Sequence, residues 1–589
     1  RPYWVESRPA ERGRNVIASL APDGSLESLA LTGFDVRSRV HEYGGTPFVL
    51  DRGAIYFCNF ADQRLYRWQA GESPHPFTPE GYRYADFDAD PLRERLFCVR
   101  EDHTHSGEPK NAIVALDERG TDGGVVLFGA SDFVAYPRVS PDGRRLAWIG
   151  WNHPDMPWDA TILYTADLDD GRLTGITAVA GGPRESVLEP RWSPDGALYF
   201  ISDRSGWWNL YRLRGGVERV FAIEAELAGA LWTLGQSSYV LTGDGRAVFR
   251  YSVEAQDRLG VVELDSGQWR TVSLPLNALS NLQLLSRESV VAVAASSMAE
   301  PALVSIDVRT GDHKVLRTPS ELTLAADFVS AAEPISFPAS AGAAHAFYYP
   351  PRNPDFTAPE GERSPLIVKV HGGPTSHAKP ELGRAVQFWT TRGFAFLDVN
   401  HGGSTGFGRA YRERLNGEWG VVDVEDVIAA VRYLVQQRHV DSDRIAIRGG
   451  SAGGFTVLAA LAFHDVFKAG ANYYGVSDLE MLARDTHKFE SRYLDRLVAP
   501  LPAGRAIYEA RAPVKHLGGF KAPLITFQGA EDKVVPPEQS RAIVCALREK
   551  GVLVEYVEFE GEQHGFRKAD SIVRSLEAEL DFYLRVFNT

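Results

Sequence analysis

The sequence predicts a two-part fold: a ring of repeated antiparallel β units, then a mainly parallel sheet covered by helices on both faces. Three observations carry this. Short β-rich runs recur through residues 1–330 between polar, glycine-bearing turns. From about Glu333 the texture changes to strand-length apolar runs alternating with helical periods. One glycine-flanked serine stands where such a strand meets such a helix. With 589 residues, 44% hydrophobic and 24% charged, the chain has ample material for large buried cores.

In the first part, β-rich runs include GAIYFCNF (53–60), RLFCV (95–99), RLAWIGW (145–151) and ALYFIS (197–202). Each is followed by a second run that ends in a turn, placing glycines at Gly24, Gly71, Gly120, Gly171, Gly215, Gly267 and Gly311. The successive differences are 47, 49, 51, 44, 52 and 44 residues. Such a period, with several short strands per unit, is what a propeller blade requires, and seven turns give a seven-bladed β-propeller. Two units share Ser-Pro-Asp-Gly turns at 140–143 and 193–196, where proline fixes φ and glycine accepts a positive one. The competing reading is a β-sandwich or a stack of unrelated hairpins. The stretches HEYGG (41–45) and WNHPDMPW (151–158) interrupt the pattern as candidate functional loops. Packing of their aromatics against a neighbouring blade is favoured for most of these residues; Trp158 is kept as a candidate substrate contact.

In the second part, a proline-rich loop (348–365) leads into strand candidates at 366–370, 394–399, 444–449, 469–475, 523–529 and 553–559. Helix candidates lie at 422–437, 453–463, 537–550 and 570–587. Val427, Ala430, Val431, Leu434 and Val435 recur at the spacing of one buried helix face. Continuous apolar strands separated by helices imply a parallel sheet buried on both sides. The domains expected are 1–330 and 334–589.

Gly449-Gly450-Ser451-Ala452-Gly453 is a G-x-S-x-G between strand RIAIR and an apolar helix, the context of a nucleophile elbow. A serine hydroxyl needs a base, itself oriented by a carboxylate. In an α/β-hydrolase the chain order is Ser, acid, His. Asp532, in GAEDKVVPP after strand PLITF, and His564, in GEQHGF after strand EYVEF, stand in those positions; Glu531 is the rival acid. An oxyanion hole needs two N–H donors. Ala452, after the nucleophile, supplies one, and Gly373 in His371-Gly372-Gly373-Pro374 supplies the other. His103 and His105 form an H-x-H without a third ligand and read as solvated loop histidines. No metal site, cofactor or nucleotide fingerprint is expected.

The formal charge of −14 repels phosphate backbones and anionic lipid, so neither nucleic acid nor membrane is expected as partner, and no apolar run is long enough to span a bilayer. Cytoplasmic location is expected, with secretion left open because the sequence begins at Arg1. Assembly into a homo-oligomer is also left open.

A propeller followed by HGGP, GGSAGG, GAEDKVVPP and GEQHGF resembles the prolyl oligopeptidase family of serine peptidases, in its acylaminoacyl-peptidase and dipeptidyl-aminopeptidase-like bacterial branch. NHGGSTGFGRAYRERLNGEWGVVDVEDV and NYYGVSDL fit it too. HEYGG, WNHPDMPWD and SDRSGWWNLY resemble an aminopeptidase subgroup that includes puromycin-hydrolysing enzymes. The resemblance implies Ser451 as nucleophile, His564 as base, Asp532 as orienting acid, and an oxyanion hole from Gly373 and Ala452. It also implies an interdomain chamber that admits short peptides or aminoacyl amides and excludes folded proteins. Aminopeptidase or acylaminoacyl-type exopeptidase action leads; carboxypeptidase, endo-oligopeptidase, esterase and acyltransferase action are the alternatives. His371 replaces the tyrosine of the prolyl oligopeptidase branch proper, so strict post-proline cleavage is not implied. The double-glutamate motif of dipeptidyl peptidases is not visible. Recognition of a free amino end would fall to other acids, of which Glu189 and Glu490 are named. Arg492 is a candidate anchor for a substrate carbonyl or carboxylate, with a surface salt bridge as the equal alternative. Trp419, Tyr473 and Tyr474 are candidates for an apolar pocket, with core packing favoured for each.

Overall fold

The first seven sheets are each built from consecutive antiparallel strands. One has three strands (Tyr3–Arg8, Arg14–Leu20, Leu26–Ser28) and six have four, ending with Ala278–Ser286, Ser289–Ser296, Ala299–Asp307 and His313–Arg317. They are the blades of a seven-bladed β-propeller. The computed structural model describes every residue except Pro22, Ala30, Glu118, Thr121, Asp170, Glu321 and Thr589. All seven glycines that set the sequence period fall in the turn before the last strand of a blade, with φ between 58° and 90°. The last blade meets the first through side chains that include two 3.0 Å hydrogen bonds from Arg317 to Glu6.

The innermost strands carry a recurrent device. Asp86, Tyr136, Glu189 and Asn281 adopt positive φ (51–56°) where the register of the first strand in four blades shifts. Two of these residues lock one blade to the next. Asp86 accepts the Tyr136 N–H at 2.6 Å, and Glu189 accepts the Ser238 N–H at 2.7 Å. Glu189 is therefore a buried inter-blade brace, with Arg191 3.8 Å away, and not a free acid facing a substrate.

The second part is one eight-stranded sheet. Its order is Glu333–Ala339, Gly342–Tyr349, Ala395–Asn400, Ser364–Val370, Val440–Gly450, Ala469–Tyr473, Leu524–Gly529 and Val554–Phe559. The first two strands form an antiparallel edge hairpin that the sequence reading left inside irregular structure; the other six run parallel. Helices Val422–Gln436, Ala452–Phe463 and Pro537–Glu549 pack one face, and Arg384–Thr390 and Ala569–Phe587 the other. The result is an α/β-hydrolase sheet whose carboxyl-end loops face the propeller. Among the described residues no helix is long and apolar enough to cross a membrane.

Arg409 and Arg412, on the short helix Arg409–Arg412, clamp the two parts together. Both guanidinium groups reach the buried Asp203 of the propeller, at 2.8 and 2.7 Å, and donate to the carbonyls of Asp159 and Trp158. Glu226, also buried, accepts the N–H groups of Trp208 and Gly408 and lies 3.7 Å from Arg412. Burial raises the Glu226 carboxyl to about 7, against the lowering effect of Arg412. A folded-state value above the unfolded one means that the native protein holds a proton which the unfolded chain has released. The stability contributed by Glu226 is thus full below about pH 4.5 and falls as pH rises through about 7. Thermal unfolding of Glu226→Gln across this range should lack that slope, which amounts to about 3 kcal/mol at most.

Candidate active site

The site grows from the carboxyl ends of four parallel strands. Val440–Gly450 turns sharply into helix Ala452–Phe463 at Ser451, whose φ of 56° and ψ of −123° are rare for a residue with a side chain. Its N–H remains tied to the Tyr473 carbonyl of the next strand, 2.9 Å away. Small residues allow this packing: a Cβ on Gly453 would stand 2.3 Å from the Val370 carbonyl oxygen, and one on Gly450 3.1 Å from the Tyr474 ring. As the first residue of its helix, Ala452 has an N–H without a partner inside the helix.

Asp532 lies just past Leu524–Gly529 and is buried. One carboxylate oxygen accepts the N–H groups of Val534 and Val535 (2.9 and 3.0 Å), and the other is 2.7 Å from His564 Nδ1. The partnership fixes the imidazole with Nδ1 protonated and Nε2 free. Glu531, the rival acid, is exposed and turned away from this pair; its N–H donates to the Glu562 carbonyl, which ties the two loops together. No hydrogen bond joins Ser451 to His564 among the described residues. The Tyr474 ring stands between their loops, with its centroid 4.8 Å from the imidazole centroid.

The HGGP loop follows Ser364–Val370. A Cβ on Gly372 would sit 3.5 Å from Ser451 Cβ, so the loop lies directly against the elbow. Among the described residues the Gly373 N–H donates no hydrogen bond, and its φ is 119°. Below the loop lies a buried polar layer. The His371 ring stacks on His401 at 4.6 Å, with Nδ1–H donating to the Gly372 carbonyl (2.9 Å) and Nε2 accepting from Ser404 (2.7 Å). Burial, then the neighbouring His401, keeps His371 neutral. Asp426 accepts the Gly402 N–H at 2.7 Å, and Asp423 accepts the Gly420 N–H and the Thr456 hydroxyl. Thr456 sits on the elbow helix within 3.3 Å of the Ala452 carbonyl. Both expected oxyanion donors therefore rest on one braced layer.

The other candidate residues separate. Tyr474 is at the site. Tyr473 is not: it packs on Phe527 and donates its hydroxyl to Glu579 within the sheet core. Trp419 packs on Phe455 of the elbow helix, 4.5 Å between centroids, and is buried there. Trp158 belongs to an aromatic cluster between the domains, 4.6 Å from Trp232 and 5.6 Å from Tyr493. Arg492 is exposed at the rim of a 540 Å³ interdomain cavity, beside Glu108 and His103. Glu490 is buried, accepts the Tyr43 hydroxyl and, among the described residues, has only His487 as a basic group within 4 Å, at 3.7 Å. Burial, then the charges of Glu490 and Asp532, push the Tyr43 hydroxyl well up. Tyr43, Trp232, His487 and Tyr493 were missed as site residues, although HEYGG had marked the first of them.

Comparison with known proteins places this geometry. The prolyl oligopeptidase family profile matches residues 380–589. The chain is 42% identical to a puromycin-hydrolysing peptidase of Mycobacterium tuberculosis, covering 99% of this chain and 92% of that one, with a TM-score of 0.95. A puromycin hydrolase structure aligns at 38% identity over 100% and 93% of the two chains, with a TM-score of 0.96. Dipeptidyl aminopeptidase BIII of Pseudoxanthomonas mexicana is 35% identical over 213 residues, 35% of this chain and 31% of that enzyme. The chain thus spans about a third of the length of the curated relatives it matches.

If the polar layer is braced as described, Thr456→Val leaves the buried Asp423 carboxylate one donor short. It should cost about 1–3 kcal/mol in denaturant unfolding, and Thr456→Ser should restore most of it.

Proposed function

The chain belongs to the prolyl oligopeptidase family, and on that premise we propose that it is a serine peptidase acting on short peptides or aminoacyl amides with a free amino end. Residues 1–330 would restrict access and 334–589 carry the chemistry. Ser451 attacks the carbonyl while His564 takes its proton through Nε2, and Asp532 holds the imidazole and offsets its developing charge. The N–H groups of Gly373 and Ala452 receive the oxyanion at the positive end of the elbow helix. His564 then protonates the leaving amine, and a water molecule releases the acyl group by the same route. The missing Ser451–His564 hydrogen bond forms when substrate enters, as free enzymes often hold this contact long. The observation that carries the reading is the 2.7 Å Asp532–His564 contact on the rim that also presents the strained Ser451.

Glu490 supports the amino-end preference. A buried carboxylate that receives one hydroxyl and no Lys or Arg within 4 Å among the described residues has unfilled acceptor capacity, and an ammonium group fits it. The named relatives include a dipeptidyl aminopeptidase and puromycin-hydrolysing enzymes, in line with this preference.

Ser451→Ala should lower kcat by on the order of 10⁶ and abolish covalent labelling by a fluorophosphonate, with an unchanged circular dichroism spectrum. Full turnover in that variant removes the assignment. Glu490→Gln should raise KM for peptides with a free amino end by about 10- to 100-fold, consistent with loss of a charge-assisted contact. Equal turnover of N-acetylated peptides by the unaltered enzyme would instead favour acylaminoacyl cleavage.

A further inference from the structure

A second polar cavity, about 300 Å³, lies where the propeller meets the residues just after the HGGP loop. Its walls include Thr375 and Ser376 from that loop, His377 and Lys379 beyond it, and Arg250 and Asn281 from the last two blades. The lining contains no carboxylate. Asp257 engages one guanidinium nitrogen of Arg250 at 2.9 Å, while another nitrogen points toward the cavity residue Gly229. Lys379 has no ion pair within 4 Å among the described residues. His377 is half-buried; Nδ1 meets the Thr405 hydroxyl at 2.7 Å, and its buried Nε2 has no partner among the described residues. Burial, then the charges of Lys379 and Arg250, push His377 well below its ordinary value, so it stays neutral.

Three features distinguish this cavity from ordinary interdomain space. The lining sets two cationic side chains, Lys379 and Arg250, among the hydroxyls of Thr375, Ser376 and Thr405 and the amide of Asn281. The lining carries Lys379 and Arg250 and no Asp or Glu, in a chain whose formal charge is −14. The cavity also adjoins the reaction site through one indole. Trp232 lines it and donates its N–H to the Thr375 carbonyl at 2.8 Å, while its ring lies 5.3 Å from Tyr43, the partner of Glu490.

We propose that this cavity binds the terminal carboxylate of short peptide substrates through Lys379, Arg250 and the flanking hydroxyls, so that the enzyme selects peptides by both ends. The inference rests on the peptidase reading above and adds the class of substrate: zwitterionic peptides of a few residues, one end at Glu490 and the other at Lys379. A longer chain or an amidated one loses the second contact. A volume of 300 Å³ holds a carboxylate with its residue and little more.

The test compares trialanine with trialanine amide, both with free amino ends, by mass-spectrometric turnover. The unaltered enzyme should favour the acid by at least about tenfold in kcat/KM, the size of a charge-assisted contact. Lys379→Met should bring that ratio toward one, and Lys379→Arg should keep it. A ratio near one in the unaltered enzyme, or a ratio untouched by Lys379→Met, overturns the assignment, and the first needs no variant to fold. Inorganic phosphate that raises the melting temperature through Lys379, alongside an acid-to-amide ratio of one, would show a site for free anions and also overturn it. Loss of cleavage of both peptides together with loss of fluorophosphonate labelling would defeat the peptidase reading instead, so the two failures are separable.

Discussion

Backbone crowding at the elbow is the constraint from which the rest of the site follows. A Cβ on Gly453 would come within 2.3 Å of the Val370 carbonyl oxygen, and one on Gly449 within 2.4 Å of the Gly453 carbonyl oxygen. Only glycine permits two neighbouring strand ends and the first turn of a helix to touch through their backbones. This contact holds Ser451 in a conformation that it would not adopt alone, and it leaves no slack between the elbow and the loop bearing Gly373. Ser451 and the HGGP loop are therefore packed directly on each other, and Asp532 and His564 stand on loops tied by the Glu531–Glu562 backbone hydrogen bond. Tyr474 borders the gap between the two.

The propeller closes over this rim with an unusually polar clamp. Arg409, Arg412, Asp203 and Glu226 are all buried, and burying four ionisable groups is a poor route to stability. Its physical value is directional: a bidentate or stacked guanidinium has few acceptable positions, and Arg412 is held by Asp203 on one side and by the Trp208 ring, 4.2 Å away, on its face. An apolar interface would hold the domains together while allowing them to slide. The apolar cluster that runs from the blades through Trp158 and Phe489 to Phe455 supplies adhesion, and the ions supply register. Register matters because Tyr43 and Glu490 come from different domains and must meet across the interface.

Much of this was legible in the chain. The blade period could be read because each blade needs a glycine at one outer turn, and those seven glycines all have positive φ. The order of serine, acid and histidine was readable because each follows a continuous apolar strand. The edge hairpin Glu333–Tyr349 was not: its outer strand carries two prolines and a glutamate, as suits an edge, and its inner strand GAAHAFYY has a buried run only over its last four residues. Glu189 was misplaced for a related reason: sequence distinguishes an acid from its neighbours but not the partner it has already found. Glu189 had found Ser238, whereas Tyr473 lies in the sheet core with Glu579, the packing favoured for it. Trp232 and Lys379, which lie outside every motif, become visible only when two distant segments are brought face to face.

Unpaired groups give the chamber its chemical character. Folding normally supplies a partner for every buried charge, because an uncompensated one costs several kcal/mol. Among the described residues Glu490, the half-buried Lys379 and the Nε2 of His377 are short of partners, whereas Asp532, Asp203 and Glu579 each hold several. Sites kept in that condition trade stability for binding, since the partner withheld by the fold can be provided by a ligand. An acid near one end of the catalytic rim and cations beyond the oxyanion loop match the opposite charges of a short peptide. The same arrangement disfavours the interior of a long chain, whose neutral amides would bury both sets of charges without answering either.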